Sequence, residues 1–327
     1  MPKVTVIVPN YNHARFLPRR LDSILSQTYQ DFDVLYLDDA STDSSADVFA
    51  RYASNPRIHA LCNTQNSGSP FKQWNKGAQN ARGEYLWIAE ADDAADPRLL
   101  ETLVALLDSH PHVGIAYCQS RTIDAEDKAG ETMRWWTDDL DTQHWRQDFV
   151  AAGPDECRRF LSLKCTLPNA SAVLLRRSVL AQVGGADETM RLAGDWMTYI
   201  KMLLVSDLAF VAEPLNFFRT HSASVRHTLR ADVRPVEEGY EVLRFLLQHA
   251  TLDADTQDRA FESRLDALLH ALVKHRAVPL GRKWGLWRTA QSVDPALTRR
   301  LLNRLGRRLR PGGRLLPLGA RRGDSPV

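Results

Sequence analysis

Five short apolar runs, at residues 3–9, 34–37, 57–61, 85–89 and 113–117, alternate with segments of helical period at 15–27, 41–53, 74–81 and 96–109. Strands separated by helices need crossover connections, and a crossover lays each new strand parallel to the last. The first half is therefore predicted to fold as a mostly parallel sheet flanked by helices, with right-handed connections. In such sheets ligands bind beyond the carboxyl ends of the strands. Two acidic groups stand at such ends: Asp38-Asp39 after the second run, and Glu90-Ala91-Asp92-Asp93 after the fourth.

The rest of the chain is less regular. Residues 122–155 are polar and carry Trp135, Trp136 and Trp145, as a long loop or insertion would. Further strands are predicted at 171–175 and 208–211, a helix at 195–204, and helical structure over 233–272. The four cysteines form no C-x-x-C pair and sit in or near apolar runs, which predicts free thiols and no zinc site. No apolar run approaches the ~20 residues of a spanning helix. Residue 3 already enters a strand pattern, so no signal peptide is expected and a cytoplasmic place is. The net charge of +2 hides an asymmetry. From Lys274 onward fourteen basic residues stand against Asp294 and Asp324, a local +12, so the remainder carries −10. The last 27 residues, 301–327, are rich in arginine, glycine and proline, and partial disorder is expected there.

The motifs come in an order. Val6-Ile7-Val8-Pro9-Asn10-Tyr11-Asn12 is followed by Ser23-Ile24-Leu25-Ser26-Gln27-Thr28-Tyr29 and Leu37-Asp38-Asp39-Ala40-Ser41-Thr42-Asp43. Then come Asn75-Lys76-Gly77, Ala81-Arg82-Gly83-Glu84-Tyr85, Asp92-Asp93, Gly194-Asp195 and Arg219-Thr220-His221. Each is weak alone. In this order and spacing the chain resembles the family 2 glycosyltransferases over about two-thirds of its length. The resemblance implies a GT-A (Rossmann-like) α/β fold over residues 1–225, with a nucleotide-binding half at about 1–118 and an acceptor-binding half at about 119–225. Residues 226–300 are then a helical C-terminal extension and 301–327 a basic tail. It implies inverting transfer of a sugar from a nucleotide diphosphate, UDP- or dTDP-linked by preference, to a hydroxyl of a glycan or lipid-linked acceptor in cell-envelope polysaccharide synthesis.

By the same resemblance Asp39 reads a pyrimidine N–H, with Pro9, Tyr11 and Asn12 flanking the nucleobase. The competing local role for the acids at 38–43 is a turn that caps the next helix. Asp92 falls to the ribose or a metal and Asp93 to the metal, as Mn²⁺ or Mg²⁺. Hard oxygen ligands suit such ions, which neutralise a departing diphosphate. Family members often carry aspartate where this chain has Glu90, so Glu90 is given no assured metal role. The local alternative is a solvated acidic turn before a helix.

Asp195 is the expected general base, because a single displacement needs one carboxylate to take the acceptor hydroxyl's proton. Its local alternative is a helix N-cap. Gly194 is expected to admit a backbone or sugar, and Trp196, in the apolar helix that follows, is with it a candidate substrate residue. The resemblance places Arg219 and His221 on a loop closing near the diphosphate, His221 at the metal, and Asn169 near a sugar; a turn role for Asn169 is equally open. Trp74, Trp135, Trp136 and Trp145 are either stacking platforms for sugar rings or core packing.

The basic tail interleaves leucines with arginines, which fits peripheral contact with anionic membrane lipid better than nucleic acid, for which no reader motif stands. A non-catalytic nucleotide-sugar-binding or scaffold protein is the alternative function. A dinucleotide oxidoreductase is disfavoured, since Pro9-Asn10-Tyr11-Asn12 replaces any G-x-G-x-x-G after the first strand.

Overall fold

The first apolar run forms strand β1 (Val4–Asn10), buried at every residue. It pairs in parallel with β2 (Phe32–Asp38) on one side and β4 (Tyr85–Ile88) on the other. A strand paired on both edges and covered on both faces reads as continuous apolar sequence. Pro9 is accommodated because the ladder to β4 ends at Ile7, so no strand asks for its missing N–H on that side. The computed structural model describes residues 1–221, 232–275 and 278–309.

The remaining strands are β3 (Ile58–Ala60), β5 (Ala94–Ala95), β6 (Val113–Ile123), β7 (Ala129–Thr132), β8 (Phe149–Ala151), β9 (Val173–Arg176) and β10 (Asp207–Arg219). The sheet order is β3-β2-β1-β4-β9-β6-β10-β5, with β7 beside β6 and β8 beside β10. Strands β1 to β4 run parallel, as do β6 and β10, while β9 is inserted antiparallel between β4 and β6. The parallel strands β1, β2 and β4 therefore deliver Asn10, Asp38 and Glu90 to one edge of the sheet.

Helices α1 (Leu17–Leu25), α2 (Ser45–Ala50), α3 (Pro70–Asn80) and α4 (Leu99–Ser109) fill the crossovers. Helices α1 and α3 each carry proline in the first turn, where the lost N–H has no intrahelical partner anyway. Helix α4 buries Leu99, Leu100, Leu103, Val104 and Leu107, the stripe its period promises. Helix α1 buries Leu17, Leu21 and Ile24, and with them Arg20.

Strand β10 runs 13 residues, well past the predicted 208–211. Its register against β6 shifts on both sides of Pro214, so a bulge absorbs the proline and the strand continues. Residues 122–155 hold β7, β8, two 3-10 turns and α5 (Gly153–Glu156) instead of a bare loop. Aromatic anchors fix them: Trp145 Nε1 donates to Tyr117 Oη at 2.7 Å, and Trp136 Nε1 to the Cys165 carbonyl at 2.7 Å. Helices α6 (Arg177–Gln182) and α7 (Gly194–Leu203) complete the region.

The chain divides into two compact units, Met1–Phe160 with Cys165–Thr220, and Leu161–Lys164 with His221–Val327. The second is helical where described: α8 (Arg234–His249), α9 (Ala254–Lys274), α10 (Leu280–Val293) and α11 (Leu297–Leu309). Asp253 caps α9 by accepting from Thr256 N at 2.9 Å. Arg300 and Arg304 of α11 pair with Asp258, Glu262 and Asp266 of α9. Most of the expected flexible tail, 310–327, lies outside the described residues. No described helix is long and apolar enough to cross a membrane.

Candidate active site

The loops leaving β1 and β2 are stapled together. Asn10 Nδ2 donates to Asp38 Oδ2 at 2.9 Å and to Ser41 Oγ at 3.0 Å, and Asp38 Oδ1 accepts from Ser41 N at 2.8 Å. Asn12 Oδ1 accepts from Thr42 N at 2.7 Å. Asn12 and Ala40 both sit at positive φ, +60° and +61°. Such a conformation at Ala40 costs energy and persists only where neighbours hold it. The side-chain oxygen of Asn12 is thus occupied in shaping the turn, while Tyr11 is 45% exposed and Pro9 is buried in β1.

Asp39 is buried, and its carboxylate is gripped from three directions. Oδ1 accepts from Asn63 Nδ2 at 2.6 Å, Ser67 N at 2.9 Å and Gln73 Nε2 at 2.8 Å; Oδ2 accepts from Ser67 Oγ at 2.7 Å. Oδ2 carries one of these four bonds against three on Oδ1, so it is the less loaded oxygen of a carboxylate that is held rigidly. Asn63, Ser67 and Gln73 carry no motif of their own and were not predicted.

The acidic loop after β4 is organised by two arginines that the motifs did not single out for this task. Arg20, wholly buried on α1, donates from Nε to the Glu90 carbonyl at 2.8 Å and from Nη2 to Ser171 Oγ at 3.0 Å, with Asp93 Oδ2 at 3.8 Å. Asp93 is 2% exposed, and its Oδ1 accepts from Arg219 N at 2.8 Å, a contact set by the pairing of β10 with β5. Burial, then the charge of Asp92, raises its carboxyl above the usual range. Arg219 places Nε on the Asp92 carbonyl at 2.6 Å, Nη1 on the Asp124 carbonyl and Nη2 on the Asp127 carboxylate. Each of its three guanidinium nitrogens donates within the protein, and the residue ends a strand. Arg219 thus braces the acidic loop from the end of β10. Asp92 is only partly buried, and it and His13 present ligand atoms within 4.8 Å of one another. Imidazole nitrogen plus carboxylate oxygen is a donor set that suits Mn²⁺. His13 was not predicted; it directly follows Asn12 at the end of β1.

Glu90 Oε1 accepts from Trp74 Nε1 at 2.9 Å, and burial first, Asp92 second, pushes its carboxyl up to about 8. Helix α3 thereby holds two acids from adjacent residues: Gln73 takes Asp39 and Trp74 takes Glu90. Phe71, stacked edge-on to Trp74 at 5.2 Å, also meets α7. A Cβ on Gly194 would lie 2.4 Å from the Phe71 ring, so glycine there admits the close approach of Phe71. Next to it, Asp195 lies inside the first turn of α7, partly exposed, while Ala193 is the N-cap. Its Oδ1 accepts from Trp196 N at 2.7 Å. The charges of Asp195 and Glu90 both act on the buried hydroxyl of Tyr199, whose pKa burial raises well above its ordinary value. The base candidate and the acidic loop thus share one neighbourhood.

Asn169 turns out to be a cap: its Oδ1 accepts from Ala172 N at 3.1 Å and its Nδ2 donates to Ser120 Oγ at 3.0 Å, with 7% exposure. Trp196 is half-buried beside Asp195, and His221 is the first residue of the second unit, also half-buried. Of the four tryptophans weighed as platforms, Trp74 and Trp145 are buried, Trp136 is anchored on Cys165, and Trp135 is 43% exposed.

The sequence model of the family described as Glycosyl transferase family 2 matches residues 5–183. An uncharacterized glycosyltransferase of Nostoc is 28% identical over 232 residues, 68% of this chain and 66% of that protein. The glycosyltransferase GlyG of Streptococcus pneumoniae is 25% identical, covering 69% of this chain and 73% of that one. Among solved structures, S. aureus TarS superposes with TM-score 0.64 at 19% identity, over 90% of this chain and 82% of that one. TarS is also solved with UDP-GlcNAc, at TM-score 0.58 and 17% identity over 93% of this chain and 92% of that one. A mannosyltransferase from Pyrobaculum calidifontis, solved with GDP-Man and Mn²⁺, superposes at 0.54 and 19% identity, over 94% of this chain and 81% of that one. These likenesses show the fold, a GT-A arrangement with a central sheet between helices.

Proposed function

The chain belongs to glycosyl transferase family 2, and from that premise we propose that it is an inverting glycosyltransferase using a nucleotide diphosphate sugar. The observation that carries the reading is α3, whose adjacent Gln73 and Trp74 hold Asp39 and Glu90 at one sheet edge, with Asp195 beside the same helix through Gly194 and Phe71. Asp39, fixed by four donated hydrogen bonds, accepts the nucleobase N–H on Oδ2. A pyrimidine donor is favoured, in line with the UDP-GlcNAc bound by TarS.

His13 and Asp92 would hold the divalent cation; His221, expected at the metal from the sequence, belongs to the second unit. A bound cation supplies charge that stabilises the leaving diphosphate. Asp195 takes the acceptor hydroxyl's proton as its oxygen attacks the anomeric carbon, and the configuration inverts. The acceptor is a hydroxyl of a glycan or lipid-linked chain in envelope polysaccharide assembly. A cytoplasmic place with a peripheral seat on anionic lipid draws support from α10. There Leu280 and Trp284, 83% and 63% exposed, lie about one turn apart on a helix that also carries Arg282, Lys283 and Arg288.

The test is a screen of UDP-, dTDP- and GDP-sugars with and without Mn²⁺, reading nucleotide diphosphate release against an acceptor extract. Release from one class, dependent on metal, supports the reading. Metal-promoted binding with no release, even by slow donor hydrolysis, favours the non-catalytic binding protein instead.

A further inference from the structure

Helix α7 carries a buried hydroxyl without a hydrogen bond. Tyr199 is 1% exposed, and its Oη has no hydrogen-bond partner among the described residues. An unpaired O–H in the interior costs stability, and phenylalanine would fill the same space without that cost. The helix shows where the hydroxyl works. Helical side chains lean toward the N-terminus, and residues four apart share a face. Tyr199 therefore leans back over the first turn of α7, where Asp195 stands four residues before it. After burial, the charge of Asp195 is the leading influence on this hydroxyl, ahead of Cys165 and Glu90. Glu90 already accepts from Trp74 Nε1 at 2.9 Å.

We infer that Tyr199 is a positioning residue for Asp195, its hydroxyl donating to the carboxylate when an acceptor is seated, an assignment that rests on the function proposed above. In the structure Asp195 Oδ1 accepts from Trp196 N at 2.7 Å instead. Amides in the first turn of a helix lack an intrahelical partner and are satisfied by side chains or by water, so the carboxylate can leave this one. A base must keep one oxygen for the acceptor's proton. A donor on the other oxygen fixes the plane of the carboxylate and aims the first. A neutral O–H does this while leaving the carboxylate charged, whereas a cation in the same place would weaken it as a base. Burial holds the phenol well above its ordinary pKa, so it keeps its own proton throughout. The acceptor's proton goes to Asp195 as its oxygen bonds the anomeric carbon. The nucleotide diphosphate leaves with the electron pair of the broken bond.

The experiment compares the full-length wild type with Tyr199→Phe, Asp195→Asn and the double variant. Each is given the sugar nucleotide that the wild type turns over in the screen of UDP-, dTDP- and GDP-sugars, with the acceptor extract. Tyr199→Phe is expected to lower turnover about tenfold to a hundredfold, the worth of a hydrogen bond to a charged group. Its donor KM and Mn²⁺ affinity are expected to stay within about twofold of wild type, and its melting temperature not to fall, because the lost hydroxyl was unpaired. In the Asp195→Asn background the same change is expected to alter turnover by less than about twofold, since residues that act as one unit are not additive. Wild-type turnover in Tyr199→Phe, with Asp195→Asn impaired, overturns the positioning role alone. So does an equal further loss in the double variant, or a loss of turnover matched by a lowered melting temperature. Wild-type turnover in Asp195→Asn, or a wild-type chain that turns over no donor, removes the functional reading and this assignment with it.

Discussion

Trp74 Nε1 donates to Glu90 Oε1 at 2.9 Å, so the residue that departs from the family's usual aspartate is met by an indole on α3. The longer glutamate reaches the indole of the helix. Held there, half-buried, its carboxyl is pushed up to about 8, by burial first and the charge of Asp92 second.

That shift has a sign. A carboxyl whose folded pKa lies above its unfolded value binds more protons in the native state, so stability falls as pH rises between the two values. For Glu90 the window runs from its ordinary 4.5 to about 8. Glu90→Gln keeps an acceptor for Trp74 and removes the titration. In metal-free buffer its melting temperature is expected to match wild type at about pH 5 and exceed it at about pH 8.5. Equal curves across that range would show that Glu90 titrates normally.

Asp92 and Asp93 are neighbours in sequence with different surroundings, Asp93 2% exposed and Asp92 partly buried. Asp93→Asn strips a buried counter-ion from Arg20 and is expected to cost about 3–5 kcal/mol in denaturant unfolding. Asp92→Asn is expected to change stability by less than about 1 kcal/mol while abolishing Mn²⁺ binding. The reverse pattern would return the metal to Asp93.

Gly194→Ala drives a methyl into Phe71, whose ring atoms lie 2.4–2.6 Å from the added Cβ. Overpacking of this kind costs about 1–3 kcal/mol, read as a shifted denaturant midpoint. Gly194→Ala combined with Phe71→Leu is expected to recover much of that loss, because the leucine vacates the ring edge.

Much of this was legible beforehand. The parallel strands and their acid-ended edges follow from two periodicities and from where polar residues interrupt them. Arg20 was legible too, in principle: Leu17, Leu21 and Ile24 define one helical face, and a charged residue on that face must be partnered inside. What hid was long-range. Which of Asp92 and Asp93 faces inward depends on β10 pairing with β5, 120 residues downstream in the chain by order of magnitude, and Pro214 reads locally as a strand stop. Asn63 and Ser67 come from irregular chain after β3, where no period marks a residue as a partner of Asp39. The local reading of Asn169 as a turn residue agrees with its bond to Ala172, while Asp195 is not the N-cap.

Helix α10 offers a separate test of the lipid contact. Co-sedimentation with vesicles of neutral lipid, and of neutral lipid mixed with anionic lipid, is expected to show binding only to the mixture, released by salt. Trp284→Ala is expected to weaken that binding about tenfold, the scale of burying one large apolar side chain. Equal sedimentation of the variant would take the contact away from α10.

In the proposed reaction Asp195 is the base. Its place inside the first turn of α7, next to the glycine that seats Phe71, fixes its backbone while leaving its side chain partly exposed. Asp195→Asn keeps the shape and removes the basicity, so donor and Mn²⁺ affinities are expected to stay within about twofold while turnover falls by about 10²–10⁴-fold, the usual worth of a positioned base. Donor hydrolysis by water, which also needs a proton removed, should fall with it. A variant that transfers sugar at the wild-type rate would show that another group accepts the proton, whereas one that fails to bind donor would make Asp195 a binding residue and leave the base to be found elsewhere.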